Sequence, residues 1–250
     1  MIINWPLISV LFCVCIPGVC IAMSRLIGFL LPQNSDVIKK RFSRVAIVQT
    51  LIMVFVMSFA GAVLSGQTGL NAPLLEGLLT GKASLDALQS ILFPVVLFTV
   101  IGTVIFLVFY YGIVGSILDE HSIQAMARLR AALGLDGCVL YGGVVEEVIV
   151  RWGLMNVVAY FGLMFTQHNT NTVIVISMIL SGFLFAVGQI PAYVAAGCIA
   201  SRRFLYSLMM LSLWQSLVFG LLFWQYGLIA AVLSHMLFHL AWGYYDKYSA

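Results

Sequence analysis

The chain has 250 residues, 62% hydrophobic and only 8% charged, with a formal net charge of +3 and a mean hydropathy of +1.09. Soluble domains carry roughly 25% charged residues, so this composition excludes a soluble globular protein and describes a single integral-membrane domain over residues 1–250. The small positive balance comes from clusters in loops, which points to topology and to membrane lipids with anionic headgroups as partners, and away from nucleic acid.

A membrane span needs about 20 mostly apolar residues. The segments that meet this are 3–31, 45–64, 88–117, 135–165, 172–190, 204–224 and 228–244, so the predicted fold class is an all-α polytopic bundle of about seven or eight spans. No basic residue precedes the first apolar run, so it is expected to stay as a span and not to be cleaved as a signal peptide. Pro17 and Pro94 mark expected kinks in the first and third spans. Between the second and third spans, 65–87 reads as an outer loop with a short interfacial helix. Residues 119–133, with Asp119, Glu120, Arg128 and Arg130, read as an amphipathic helix on the membrane surface whose charges form a solvated face. An eighth membrane piece is expected only if 191–200 forms a re-entrant or interfacial segment. Cys13, Cys15, Cys20, Cys138 and Cys198 lack zinc or redox spacing and read as small apolar side chains.

Lys39, Lys40, Arg41, Arg44, Arg128, Arg130, Arg202, Arg203 and Lys247 fall on one side of these spans, with Lys82 on the other. The positive-inside rule then places the N-terminus outside and the C-terminus in the cytoplasm, with a bacterial inner membrane as the expected location. Arg25 reaches the same side by snorkelling.

Against this apolar background the fourth span carries Glu146-Glu147-Val148-Ile149-Val150-Arg151. Charges at membrane depth are costly and are held there by a partner or a task. Glu147 and Arg151, four apart with the acid first, are set to pair on one helical face, which leaves Glu146 without a local partner. It starts about 11 residues into its span, near ~16 Å of rise, close to the midplane. A carboxylate in an apolar surround is suited to general-base work. Gln189 near the inner end of the fifth span, Ser212, Gln215 and Ser216 in the sixth, and His235 and His239 one turn apart in the seventh are the other polar groups at depth. Glu146, Gln189 and the His235–His239 pair are expected to line one cavity opening toward the cytoplasm.

Glu146-Glu147-x-x-x-Arg151, Phe185-x-x-x-Gln189 and His235-x-x-x-His239 resemble, in order and spacing, the EExxxR, FxxxH and HxxxN (or D) blocks of the CPBP intramembrane proteases. That family includes the type II CAAX prenyl endopeptidases and bacteriocin-processing and immunity proteins. The likeness covers 142–242. It implies a helical bundle around a conical cavity and hydrolysis of a membrane-embedded or prenylated peptide. It also implies Glu146 as the base that activates water, Glu147 and Arg151 as groups that fix the site, and His235 as the oxyanion partner. The chain departs from the pattern twice, with Gln189 in place of the FxxxH histidine and His239 in place of the final Asn or Asp. An amide orients water but cannot take its proton. Two readings stay open. In one, His239 compensates, with Glu146, His235 and His239 as a three-ligand set for zinc. In the other, the chain is a pseudoprotease that serves as a membrane scaffold or immunity factor. A proton-coupled transporter is a third reading, weakened by the absence of repeated halves.

Overall fold

The computed structural model describes residues 3–168 and 170–249, which form helices joined by short turns and, among the described residues, no strand. The helices are α1 (Trp5–Leu30), α2 (Asp36–Thr68), α3 (Pro73–Leu79), α4 (Asp86–Ile117), α5 (Glu120–Thr166), α6 (Asn171–Ala195), α7 (Arg202–Tyr226) and α8 (Leu228–Ser249). All but α3 are long and apolar enough to cross a membrane, seven in the described residues, and the chain is an integral membrane protein. The short helix expected between the second and third spans is α3.

Local chemistry sets the helix ends. Side-chain oxygens of Asn4, Asp119, Thr170 and Ser201 accept the backbone N–H three residues on, closing the first turns of α1, α5, α6 and α7. α2 ends on Gly69, whose left-handed φ of 74° lets its N–H reach the Ser65 carbonyl. Pro17 sits inside α1 and Pro94 inside α4, and neither ends its helix. α6 likewise continues through Pro191 to Ala195 and then turns, so 191–200 is a helix end and a loop, not an eighth membrane piece.

α5 is the axis of the bundle. It bends at Gly134 (φ 73°, ψ 163°), which separates the amphipathic beginning from the spanning part. Arg25 of α1 fills the bend, donating through Nη1 to the Leu133 carbonyl at 2.6 Å and through both terminal nitrogens to Asp136 at 2.5 and 2.9 Å. A side chain at 134 would need a left-handed backbone and would also meet Arg25 Nη1. Past the bend, α5 packs against α1, α2, α6, α7 and α8.

Small residues let these helices come close, as membrane packing requires. The missing Cβ of Gly18 faces the Leu140 backbone, that of Gly61 faces Trp152, and that of Gly153 faces Met57. Trp152 is fully buried and donates to the Ser58 carbonyl at 3.1 Å. At the far end, Asn156 donates to the Leu70 carbonyl at 3.2 Å and accepts from Thr68. The amphipathic start of α5 differs from expectation. Ser122, Ala125, Met126 and Leu129 are buried, and Arg130 turns inward to pair with Asp246 of α8 instead of lying on a solvated face.

Candidate active site

The middle of α5 is wound more widely than an α-helix, with i→i+5 bonding over Cys138–Glu146 and again over Val148–Met155. Such stretches give up helical regularity and are frequent at functional sites. Here the two glutamates meet different surroundings.

Glu147 is fully buried. Its Oε2 lies 3.4 Å from Arg151 Nε, one turn on, and its Oε1 lies 2.7 Å from His235 Nδ1 of α8. Arg151, 2% exposed, donates through Nη2 to the Gln215 carbonyl of α7 at 3.1 Å. The Phe219 ring lies under both partners, 5.7 Å from the Arg151 guanidinium and stacked on the His235 ring at 4.2 Å. The Glu147 carboxylate therefore ties α5 to α8, and its partner Arg151 ties α5 to α7. With Nδ1 committed to Glu147, Nε2 is the ring atom His235 has left for other work.

Glu146 has no such anchorage. Among the described residues it makes no hydrogen bond and no ion pair, and it lines a cavity of ≈ 120 Å³. Gln189 of α6, Ser212 and Gln215 of α7, and His235 and His239 of α8 line the same cavity. The polar groups expected at depth thus meet around one space, except Ser216, which donates to the Met178 carbonyl at 2.7 Å. At ~30 Å³ per molecule, the space suits about four waters.

The approach of α8 to α5 depends on Gly142 and Gly143, whose missing Cβ positions fall against His239 and Met236. His239 stacks on His235 at 4.8 Å, and both its ring nitrogens are buried without a hydrogen-bond partner among the described residues. Trp242 continues the column at 6.4 Å from His239, and Arg130 caps it 3.5 Å above the Trp242 ring. His235, His239, Trp242 and Asp246 are spaced 4, 3 and 4 apart on α8 and share one face. Arg130, Trp242 and Asp246 were not among the site residues expected from the sequence, although that spacing on α8 was readable.

The expected zinc set does not fit this arrangement. The His235 and His239 rings lie only 20° from parallel, so their in-plane lone pairs run side by side and do not converge on one point. Among the described residues no three His, Cys, Asp or Glu side chains are gathered to hold a metal ion, where zinc needs tetrahedral donors near ~2.0–2.2 Å.

Residues 129–241 match the family model described as type II CAAX prenyl endopeptidase, Rce1-like. This region, just under half of the chain, begins shortly before the bend of α5, ends within α8 and contains Glu146, Glu147, Arg151, Gln189, Ser212, Gln215, His235 and His239. The match supports the CPBP assignment read from the three blocks. No curated protein and no solved structure matches the chain.

Proposed function

We propose that the chain is an intramembrane peptidase that hydrolyses a peptide bond of a membrane-embedded or prenylated peptide, using a water deprotonated by Glu146. The observation that carries this reading is the unequal state of the two adjacent acids. Glu147 is spent on Arg151 and His235, whereas Glu146 faces a polar-lined cavity with no partner among the described residues. An unpaired carboxylate at depth is retained against its cost when it has chemistry to do.

The steps follow from donor and acceptor capacity. Glu146 takes one proton from a water held by the Gln189 amide, and the water oxygen forms a bond to the peptide carbonyl carbon. The carbonyl π electrons move to its oxygen, and His235 Nε2, when the ring is protonated beside the Glu147 carboxylate, donates to that oxyanion. Collapse of the tetrahedral intermediate breaks the C–N bond, and the proton on Glu146 passes to the leaving nitrogen. Glu147 and Arg151 act through His235 as positioning residues. In this reading the basic end of the bundle, with the cavity nearest it, faces the cytoplasm of a bacterial inner membrane.

Gln189 favours a second reading, a pseudoprotease scaffold or immunity factor, because an amide replaces a group able to share the proton. Mass spectrometry of new protein termini separates the two, in cells carrying either the intact chain or Glu146→Gln at matched levels. Termini that depend on Glu146 are expected from a peptidase. Identical termini, with the variant folded and any phenotype kept, would replace it with the scaffold.

A further inference from the structure

A second cavity of ≈ 580 Å³ lies at the basic end, between the end of α4, the amphipathic beginning of α5 and the last turns of α8. Pockets that hold organic ligands span roughly 300–1,000 Å³. The space at Glu146 is far smaller, so a peptide must be held elsewhere before its scissile bond arrives. Tyr110, Arg130 and Cys138 line both cavities, which makes Arg130 the cation at their junction.

Arg130 is held in two separable ways. The Trp242 ring, 3.5 Å away, fixes where the guanidinium lies. Asp246 meets only Nη1 of its fork, through Oδ2, and that carboxylate also accepts from the Tyr111 hydroxyl, which in turn accepts from Trp242 Nε1 at 3.2 Å. The Asp246 side chain is 40% exposed against 17% for Arg130. Asp246 is thus the more accessible partner of the pair, the one an incoming carboxylate meets first. Arg130 Nε, moreover, is buried with no hydrogen-bond partner among the described residues. A guanidinium fork binds a carboxylate through two parallel bonds. Another carboxylate can therefore replace Asp246 while the stack on Trp242 keeps the cation in place.

We propose that this cavity is a substrate vestibule in which Arg130 captures a carboxylate of the substrate in exchange for Asp246. The word substrate rests on the peptidase reading above, but capture does not require cleavage. The column Arg130, Trp242, His239, His235 then runs from the captured group to the ring beside Glu147, so the held peptide lies along the way to Glu146. The carboxylate is either the chain terminus or an acidic side chain near the scissile bond.

The test is equilibrium binding to the full chain in detergent, carrying Glu146→Gln so that no probe is consumed. The probes are three farnesylated tetrapeptides: one with a free C-terminal carboxylate, its neutral C-terminal amide, and an amide with Asp at one position. At least one acidic probe is expected to bind about 10-fold tighter than the neutral amide, as one bidentate charged contact would give. Whichever acidic probe does so identifies the source of the carboxylate. The preference should vanish in Arg130→Gln and persist in weakened form in Arg130→Lys, and Asp246→Asn should tighten the acidic probe several-fold. Equal binding of all three, binding of none, or a preference that survives Arg130→Gln would overturn the proposal. The comparison of probes on unaltered Arg130 decides it even if a variant fails to fold. Cleavage by the intact chain without charge preference would remove this inference and leave the peptidase. Selective binding without cleavage would do the reverse.

Discussion

Glu146 and Glu147 are neighbours in the chain and opposites in the fold. Around Glu147 every neighbour restrains: a guanidinium one turn on, an imidazole from α8 and a phenylalanine ring beneath both. Around Glu146 there is a cavity wall of amide, hydroxyl and imidazole groups and no partner among the described residues. The difference teaches which acid carries architecture and which is free for chemistry. A buried pair stripped of one member leaves an uncompensated charge, whereas a carboxylate facing polar space can be neutralised with little structural consequence.

The sharpest contrast comes from the Glu147 side. Arg151→Ala removes the cation and its bond to the Gln215 carbonyl, and should destabilise the bundle by about 3–5 kcal/mol, read as the loss of folded protein in a thermal or denaturant series in detergent. A variant as stable as the parent would break the distinction between the two acids. On the Glu146 side, Gln189→His restores a proton-accepting group to the cavity. It should raise the rate of peptide hydrolysis by about 10²-fold or more, the typical worth of general-base assistance. An unchanged rate would show that the amide is not what limits the site.

Gly142 tests the seam between the two regions. A methyl group there falls on the His239 ring, so Gly142→Ala should cost about 1–3 kcal/mol of stability and displace His239, with hydrolysis falling further than stability alone explains. The smallest effect is expected at Asp119, outside the spans, where hydrogen bonds from Ser122 hold the carboxyl below its ordinary range. A group lowered in this way stabilises the folded state at neutral pH, and the contribution is lost as pH falls through its folded value. Asp119→Ala should speed amide hydrogen exchange over the first turn of α5 at pH 7. The gap to the parent, corrected for intrinsic rates, should close in acid.

Much of this was legible before any coordinates. The spans follow from apolar length, and the Glu147–Arg151 pair from a spacing of four with the acid first. That Glu146, Gln189, His235 and His239 could share one cavity follows from their placement between the midplane and the cytoplasmic ends of their spans. Other features were hidden for definite reasons. Arg151 is held by the backbone carbonyl of Gln215, and a backbone group leaves no mark in a sequence. Arg130 reads as one more interfacial cation because its partners, Trp242 and Asp246, lie more than a hundred residues away. The apolar length bounds the fifth span at 190, just before Pro191, yet α6 continues for another turn, since a proline near a C-terminus forfeits a single helical hydrogen bond. The zinc set rests on spacing on α8, and spacing does not show that the His235 and His239 rings stack nearly parallel.

The division of labour between the two acids is tested most directly by measuring unfolding and peptide hydrolysis side by side for Glu146→Gln and Glu147→Gln. Glu146→Gln should keep the parent's unfolding temperature and lose hydrolysis by roughly 10²- to 10⁴-fold. Glu147→Gln should lower stability by about 3–5 kcal/mol, because it leaves Arg151 buried without its counter-charge. Hydrolysis that survives Glu146→Gln, or a Glu147→Gln protein as stable as the parent, would contradict the assignment of chemistry to the first acid and architecture to the second.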